Sequence, residues 1–155
     1  MGREHLFRLL ELIDQTNYSF ILETNGILIG YDSSYAKKLS RFRCVHVRVS
    51  IKGTTSQEYA MLTGAKPESF GLQLKALKNL LDAGVSCHPA VMLSFSSKEN
   101  FQNFLDTLKN IDLRLVNEVE EEYVFLYPHV VRRLKKAGIK PKIAYQPNNI
   151  PENLI

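Results

Sequence analysis

Cysteine is scarce in this 155-residue chain: Cys44 and Cys87 stand 43 positions apart and form no CxxC pair. That excludes a disulfide framework and points to a reducing, cytoplasmic setting. No apolar run reaches the roughly 20 residues of a membrane helix. The opening MGREHLFRLL mixes charge with its apolar residues and has no signal-peptide core. His5, His46, His88 and His129 show no HExxH-type spacing, and GxSxG, GxGxxG and Walker loops are all missing. The zinc-protease, serine-hydrolase elbow, dinucleotide and P-loop signatures are therefore absent. Net charge is only +4, too small an excess to argue for a nucleic-acid partner. Neither internal repeats nor low-complexity segments stand out.

What is present suits one domain with a real core, since 45% of the residues are hydrophobic. The strongest pattern is residues 44–52, CVHVRVSIK. Val45, Val47, Val49 and Ile51 alternate with His46, Arg48, Ser50 and Lys52, and a period of two is a strand with one apolar and one polar face. Helical spacing of Leu6, Leu9, Leu10 and Ile13 predicts a first helix over 3–15. A strand follows over 18–22, ending in the Asn25-Gly26 turn. A short helix is expected over 32–39. Thr55 with Glu58 is a capping box for a helix over 56–62, and Pro67 opens another that Gly84 stops. The spacing further predicts a strand over 85–94, a second capping box at Ser96 and Glu99 for a helix over 97–109, a strand over 113–119 and a helix over 128–137 closed by Gly138. Residues 1–140 form the α/β unit and residues 141–155 a tail, expected as surface loop.

Strands alternating with helices argue for parallel βαβ units, and parallel α/β proteins place sites at strand carboxyl ends. Glu23, Thr24 and Asn25 end one strand, Ser50 and Lys52 the next, and Ser94 with Ser96 and Ser97 a third. These residues either gather round a polar ligand or are polar because loops are wet, and Glu23 and Lys52 either act on a ligand or pair with each other. The polar stripe constrains the fold further. Burying Arg48 and Lys52 unpaired costs several kcal/mol, so their face needs water, a ligand or counter-charges. A curved, incomplete barrel with a wet inner side meets that need better than a two-sided sheet. The basic residues from Arg132 to Lys142 read as a solvated helix face, and the acidic run Glu118, Glu120, Glu121 and Glu122 as a solvated strand end rather than a cation site. Each histidine reads as a lone structural or surface residue.

At residues 23–26 and 47–53 the chain resembles the radical S-adenosylmethionine (SAM) superfamily, in the branch around pyruvate-formate-lyase-activating enzymes and related archaeal proteins. There the third barrel strand ends in a Thr-Asn-Gly turn, as LETNG does, and the fourth carries a polar residue, an aliphatic and a lysine, as Ser50-Ile51-Lys52 does. LTGA at 62–65, the helix and strand over 67–95 and the opening GREHL continue the likeness to about Gly138. The resemblance implies a partial TIM-like barrel, of parallel strands with outer helices, of which about four strands are present. It implies SAM across the strand ends, with Ser50 and Lys52 near the ribose or methionine carboxylate and Glu23, Thr24, Asn25 and Ser94 at the same rim.

The chain departs from that family where the chemistry sits. Neither the cluster-binding CxxxCxxC loop nor the GGE segment occurs in it. The expectation is therefore the carboxy-terminal portion of a radical SAM barrel that binds no iron–sulfur cluster and is inactive alone, with a separate chain as a candidate carrier of the cluster. The alternatives are a non-catalytic ligand-binding or interaction module on the same scaffold, or an unrelated α/β enzyme using Glu23 and Lys52 as acid and base. The apolar strand of Phe20, Ile21 and Leu22 would then be a bare edge, so a homo-oligomer that covers it or the open inner face is expected.

Overall fold

The computed structural model describes residues 3–151. Helix α1 (Arg3–Ile13) buries Leu6 and Leu10 one turn apart. At its end the Asp14 carboxylate accepts the Cys44 N–H at 2.9 Å, tying the helix to the start of β2 (Val45–Lys52). Strand β1 (Phe20–Thr24) begins two residues later than the sequence pattern suggests, because the Tyr18 N–H is taken by the Thr16 hydroxyl in a local turn. Gly26, at φ 75°, turns the chain into α2 (Ile27–Tyr31), a helix that periodicity does not reveal, and α3 (Ser34–Leu39) follows. Helix α4 (Ser56–Thr63) is capped by the Thr55 hydroxyl, which accepts the Glu58 N–H. A 3-10 turn at Pro67–Ser69 leads into α5 (Phe70–Asp82), then β3 (Ser86–Met92) and α6 (Lys98–Ile111). The cap of α6 is Ser97 accepting from the Asn100 N–H, one residue beyond the expected box at Ser96.

The expected strand over 113–119 is instead helix α7 (Leu113–Asn117). Asp112 caps it by accepting the Arg114 N–H at 2.9 Å, and Leu115 buries into the core, a local helix signal that outweighs the apolar alternation. The strand is the acidic run: β4 (Glu120–Glu122). The tail is not only loop. Residues Ala144–Tyr145 form β6, pairing in parallel with β5 (Val124–Phe125), while helix α8 (Pro128–Ala137) lies between them. The Lys142 and Ile143 N–H groups both donate to the Ser94 carbonyl and anchor that segment to the end of β3.

The main sheet has four strands in the order β1-β2-β3-β4, all parallel. Every neighbour in space is thus the next strand in sequence. Val45, Val47, Val49 and Ile51 are buried with Leu77, Leu80, Phe104 and Leu108 of α5 and α6, so the helices cover one face of the sheet. Among the described residues no helix is long and apolar enough to cross a membrane.

Candidate functional site

Register places the polar face. Arg48 pairs with Glu23 on β1 and with His88 on β3; Lys52 pairs with Met92, which in turn pairs with Glu122 of β4. In a parallel ladder, paired residues project to the same side. Glu23, His46, Arg48, Ser50, Lys52, His88, Glu120 and Glu122 therefore share the face opposite the core.

Arg48 is the centre of that face. Its Nη1 is 3.0 Å from Glu23 Oε1, its Nε and Nη2 are 2.8 and 2.7 Å from the two oxygens of Glu120, and Nη2 is 2.8 Å from Glu122 Oε1. Lys52 Nζ lies 2.7 Å from Glu122 Oε2. The two-oxygen grip on Glu120 is the planar fork geometry that favours arginine over lysine. The side chains of Arg48 and Glu122 are only 16% and 19% exposed, so the centre of the network is largely dry, while Glu23, Glu120 and Lys52 reach solvent. The Arg48 guanidinium holds the Glu120 carboxyl down at about 2. For Glu122 burial works against ionisation, yet Lys52 and Arg48 outweigh it and keep the group below its usual value. Three carboxylates face two fixed cations, so with neutral imidazoles the face keeps one negative charge.

Beside the network, at the carboxyl ends of β2 and β3, lies a cavity of about 340 Å³ lined by Arg48, Lys52, Met92, Glu122, Tyr123 and Phe125. It joins charged groups to two aromatic rings and a thioether.

The residues expected from the sequence divide into two groups. Glu23, Ser50 and Lys52 do come together on this face; Glu23 pairs with Arg48 and Lys52 with Glu122. The others are occupied in the backbone frame. Thr24 Oγ1 accepts the Gly26 N–H and Asn25 Oδ1 the Ile27 N–H, shaping the turn. The buried Gln73 amide donates to the carbonyls of both Asn25 and Ser50, clipping the ends of β1 and β2 together. Ser94 is fully buried and its hydroxyl accepts the Val124 N–H at 2.8 Å.

Sequence reasoning missed Glu120 and Glu122, whose i, i+2 spacing is the acidic counterpart of the stripe on β2. It also missed Glu58 as more than a cap. That carboxylate accepts from the Thr54 N–H and hydroxyl, the Ser96 hydroxyl and the Asn100 amide, locking the loops after β2 and β3. Burial opposes its ionisation, but these donors hold it below the ordinary range. His46 and His88 are not lone: their rings stack with centroids 4.9 Å apart.

Among the described residues no group of three or more His, Cys, Asp or Glu side chains is arranged to hold a metal ion. No protein-family model, curated protein or solved structure matches the chain.

Proposed function

We propose that this chain is the carboxy-terminal wall of a TIM-like, radical-SAM-type (β/α) barrel and binds SAM across its strand ends without itself holding the cluster. The observation that carries this reading is the sheet: four parallel strands in chain order, apolar on the helix side and charged on the other. Doubly wound folds break that order and cover both faces. A barrel wall keeps it and leaves the inner face for side chains and ligand.

The residues present suit SAM. Tyr123, Phe125 and Met92 offer flat and polarizable surface to an adenine. The residual negative charge of the face suits a ligand carrying a sulfonium and an ammonium, and Lys52 and Arg48 are the cations on hand for its carboxylate. They do not suit an iron–sulfur cluster. Burial pushes the Cys87 thiol up to about 12, and burial together with Asp14 raises Cys44 as well, so neither is a ready thiolate. A cluster, on this reading, belongs to residues outside these 155.

Calorimetry tests the proposal. SAM is expected to bind at one site, roughly tenfold more tightly than S-adenosylhomocysteine, which lacks the sulfonium charge, a difference of about 1.4 kcal/mol. Lys52→Met should weaken SAM by a similar factor. Absence of heat at millimolar SAM, or equal affinity for the two ligands, sinks this reading.

We also propose that the chain self-associates through β1. That strand is an edge of the sheet, and the apolar side chains on and beside it are well exposed: Ile21 62%, Leu28 67%, Tyr31 78% and Tyr18 79%. Light scattering at micromolar concentration should give at least a dimer, and Ile21→Lys should give a monomer. A monomeric wild type overturns this assembly.

A further inference from the structure

A line of four hydrogen-bonded side chains crosses the amino-terminal half of the polar face. Ser86 Oγ is 2.7 Å from His46 Nδ1, His46 Nε2 is 2.6 Å from His88 Nδ1, and His88 Nε2 is 3.0 Å from Glu120 Oε2. The proton on each link follows from the carboxylate end. Glu120, gripped by Arg48, is ionised and only accepts. With both imidazoles neutral, His88 Nε2 donates to that carboxylate and His88 Nδ1 is bare. His46 Nε2 must then donate to His88, which leaves His46 Nδ1 bare and facing the Ser86 hydroxyl. A hydroxyl thus donates to an imidazole base whose tautomer is set by a second imidazole and a carboxylate.

The line ends in open space. Ser86 is exposed and meets a cavity of about 500 Å³ that His46, His88, Asn117, Glu118 and Glu120 also line. A smaller hollow of about 280 Å³ reaches Ser86 from its other side and is lined by Arg114. Burial, the largest influence on it, holds His46 below its usual value.

We propose that Ser86 is the nucleophile of an acyl-transfer site that takes small neutral or cationic carboxylic esters. Ser86 Oγ bonds to the ester carbonyl carbon while its proton passes to His46 Nδ1. The carbon–alkoxide bond then breaks, and the alkoxide takes that proton and leaves as the alcohol. Water attacks the acyl-Ser86 in turn, giving a proton to His46 Nδ1. The bond to Ser86 Oγ breaks, Oγ recovers the proton, and the carboxylic acid departs. One ester and one water become one acid and one alcohol. His88 and Glu120 are positioning residues: they hold the tautomer and face the imidazolium that forms with a carboxylate. The Asn117 amide is the donor on the cavity wall for charge developing on the carbonyl oxygen, and Glu118 with Glu120 repels anionic substrates. This cavity and the one proposed for SAM open toward opposite ends of the strands and share Glu120; neither the ester chemistry nor its test requires bound SAM.

The test uses the full chain and p-nitrophenyl acetate. The expected result is a burst of about one nitrophenolate per chain followed by slower turnover, with the acetyl group found on the Ser86 peptide by mass spectrometry. Ser86→Ala should abolish burst and label while leaving the circular dichroism spectrum unchanged, and His46→Gln should slow acylation at least ~100-fold. Glu120→Gln should move the acidic limb of the pH–rate profile to lower pH, since the imidazolium loses its carboxylate; a merely structural role would leave that limb in place. No burst between about pH 6 and 9, a burst that survives Ser86→Ala, or an acetyl group on another residue overturns the proposal.

Discussion

Gly30→Ala is expected to destabilise the chain by about 3 kcal/mol or more, lowering the melting temperature by roughly 6–12 °C. Gly30 lies on α2 where that helix meets α5. A Cβ built there would stand 1.9 Å from the Leu72 carbonyl oxygen and 2.7 Å from its carbon. Both are backbone atoms and cannot rotate away, so the helices must separate. Separation also breaks the bond from the Asn79 amide to the Ile29 carbonyl, 2.8 Å long, which ties the same two helices. Gly71, one residue before Leu72 on α5, is the control: nothing lies within 4 Å of its Cβ position. Gly71→Ala should be neutral or stabilising by up to about 1 kcal/mol, because alanine favours the helix. Urea unfolding of the two variants checks the contrast, and a Gly30→Ala midpoint equal to that of wild type would mean that α2 and α5 do not touch in this way.

Arg48→Met should cost roughly 2–3 kcal/mol at neutral pH, somewhat less than for a fully buried pair because Glu23 and Glu120 are partly in water. The substitution leaves Glu23, Glu120 and Glu122 facing one another with Lys52 as the nearest cation. It should also change the response to acid. In the folded chain Glu120 sits at about 2, against an ordinary value of 4.5. As pH falls, protons therefore bind the unfolded chain first. The stability from this pairing is whole above about pH 4.5 and drains away as pH approaches 2. Wild type should show a falling urea midpoint across that window, shallower at high salt because Glu120 is half exposed. In Arg48→Met the main cause of the Glu120 depression is lost and only the His88 contact remains, so the fall should be smaller. A wild-type midpoint that stays flat from neutral pH down to about pH 2.5 counts against the network.

The alternation in residues 44–52 was legible because one short strand contains its own signal: β-branched residues on one side, polar ones on the other. The turn at Gly26 and the Thr55 cap were legible for the same reason, each being a local backbone requirement met by a nearby residue. The region over 113–119 was not. Leu113, Leu115 and Val119 fit a period of two, and Leu115 and Val116 also fit a helix; the Asp112 cap and the burial of Leu115 decide between them. The acidic run was misread because glutamates are poor strand formers. What keeps Glu120 and Glu122 in a strand is the ladder to β3 and the cations waiting on β2.

By itself, then, the sequence determined the α/β class, the order of most elements and the need for something to compensate Arg48 and Lys52, since all of these follow from period, caps and the cost of burying charge. Only the tertiary structure decided what compensates them, and which histidine meets which serine. Those answers depend on strand register between residues 25 to 74 positions apart, and register is set by how the helices and strands pack together rather than by any local pattern.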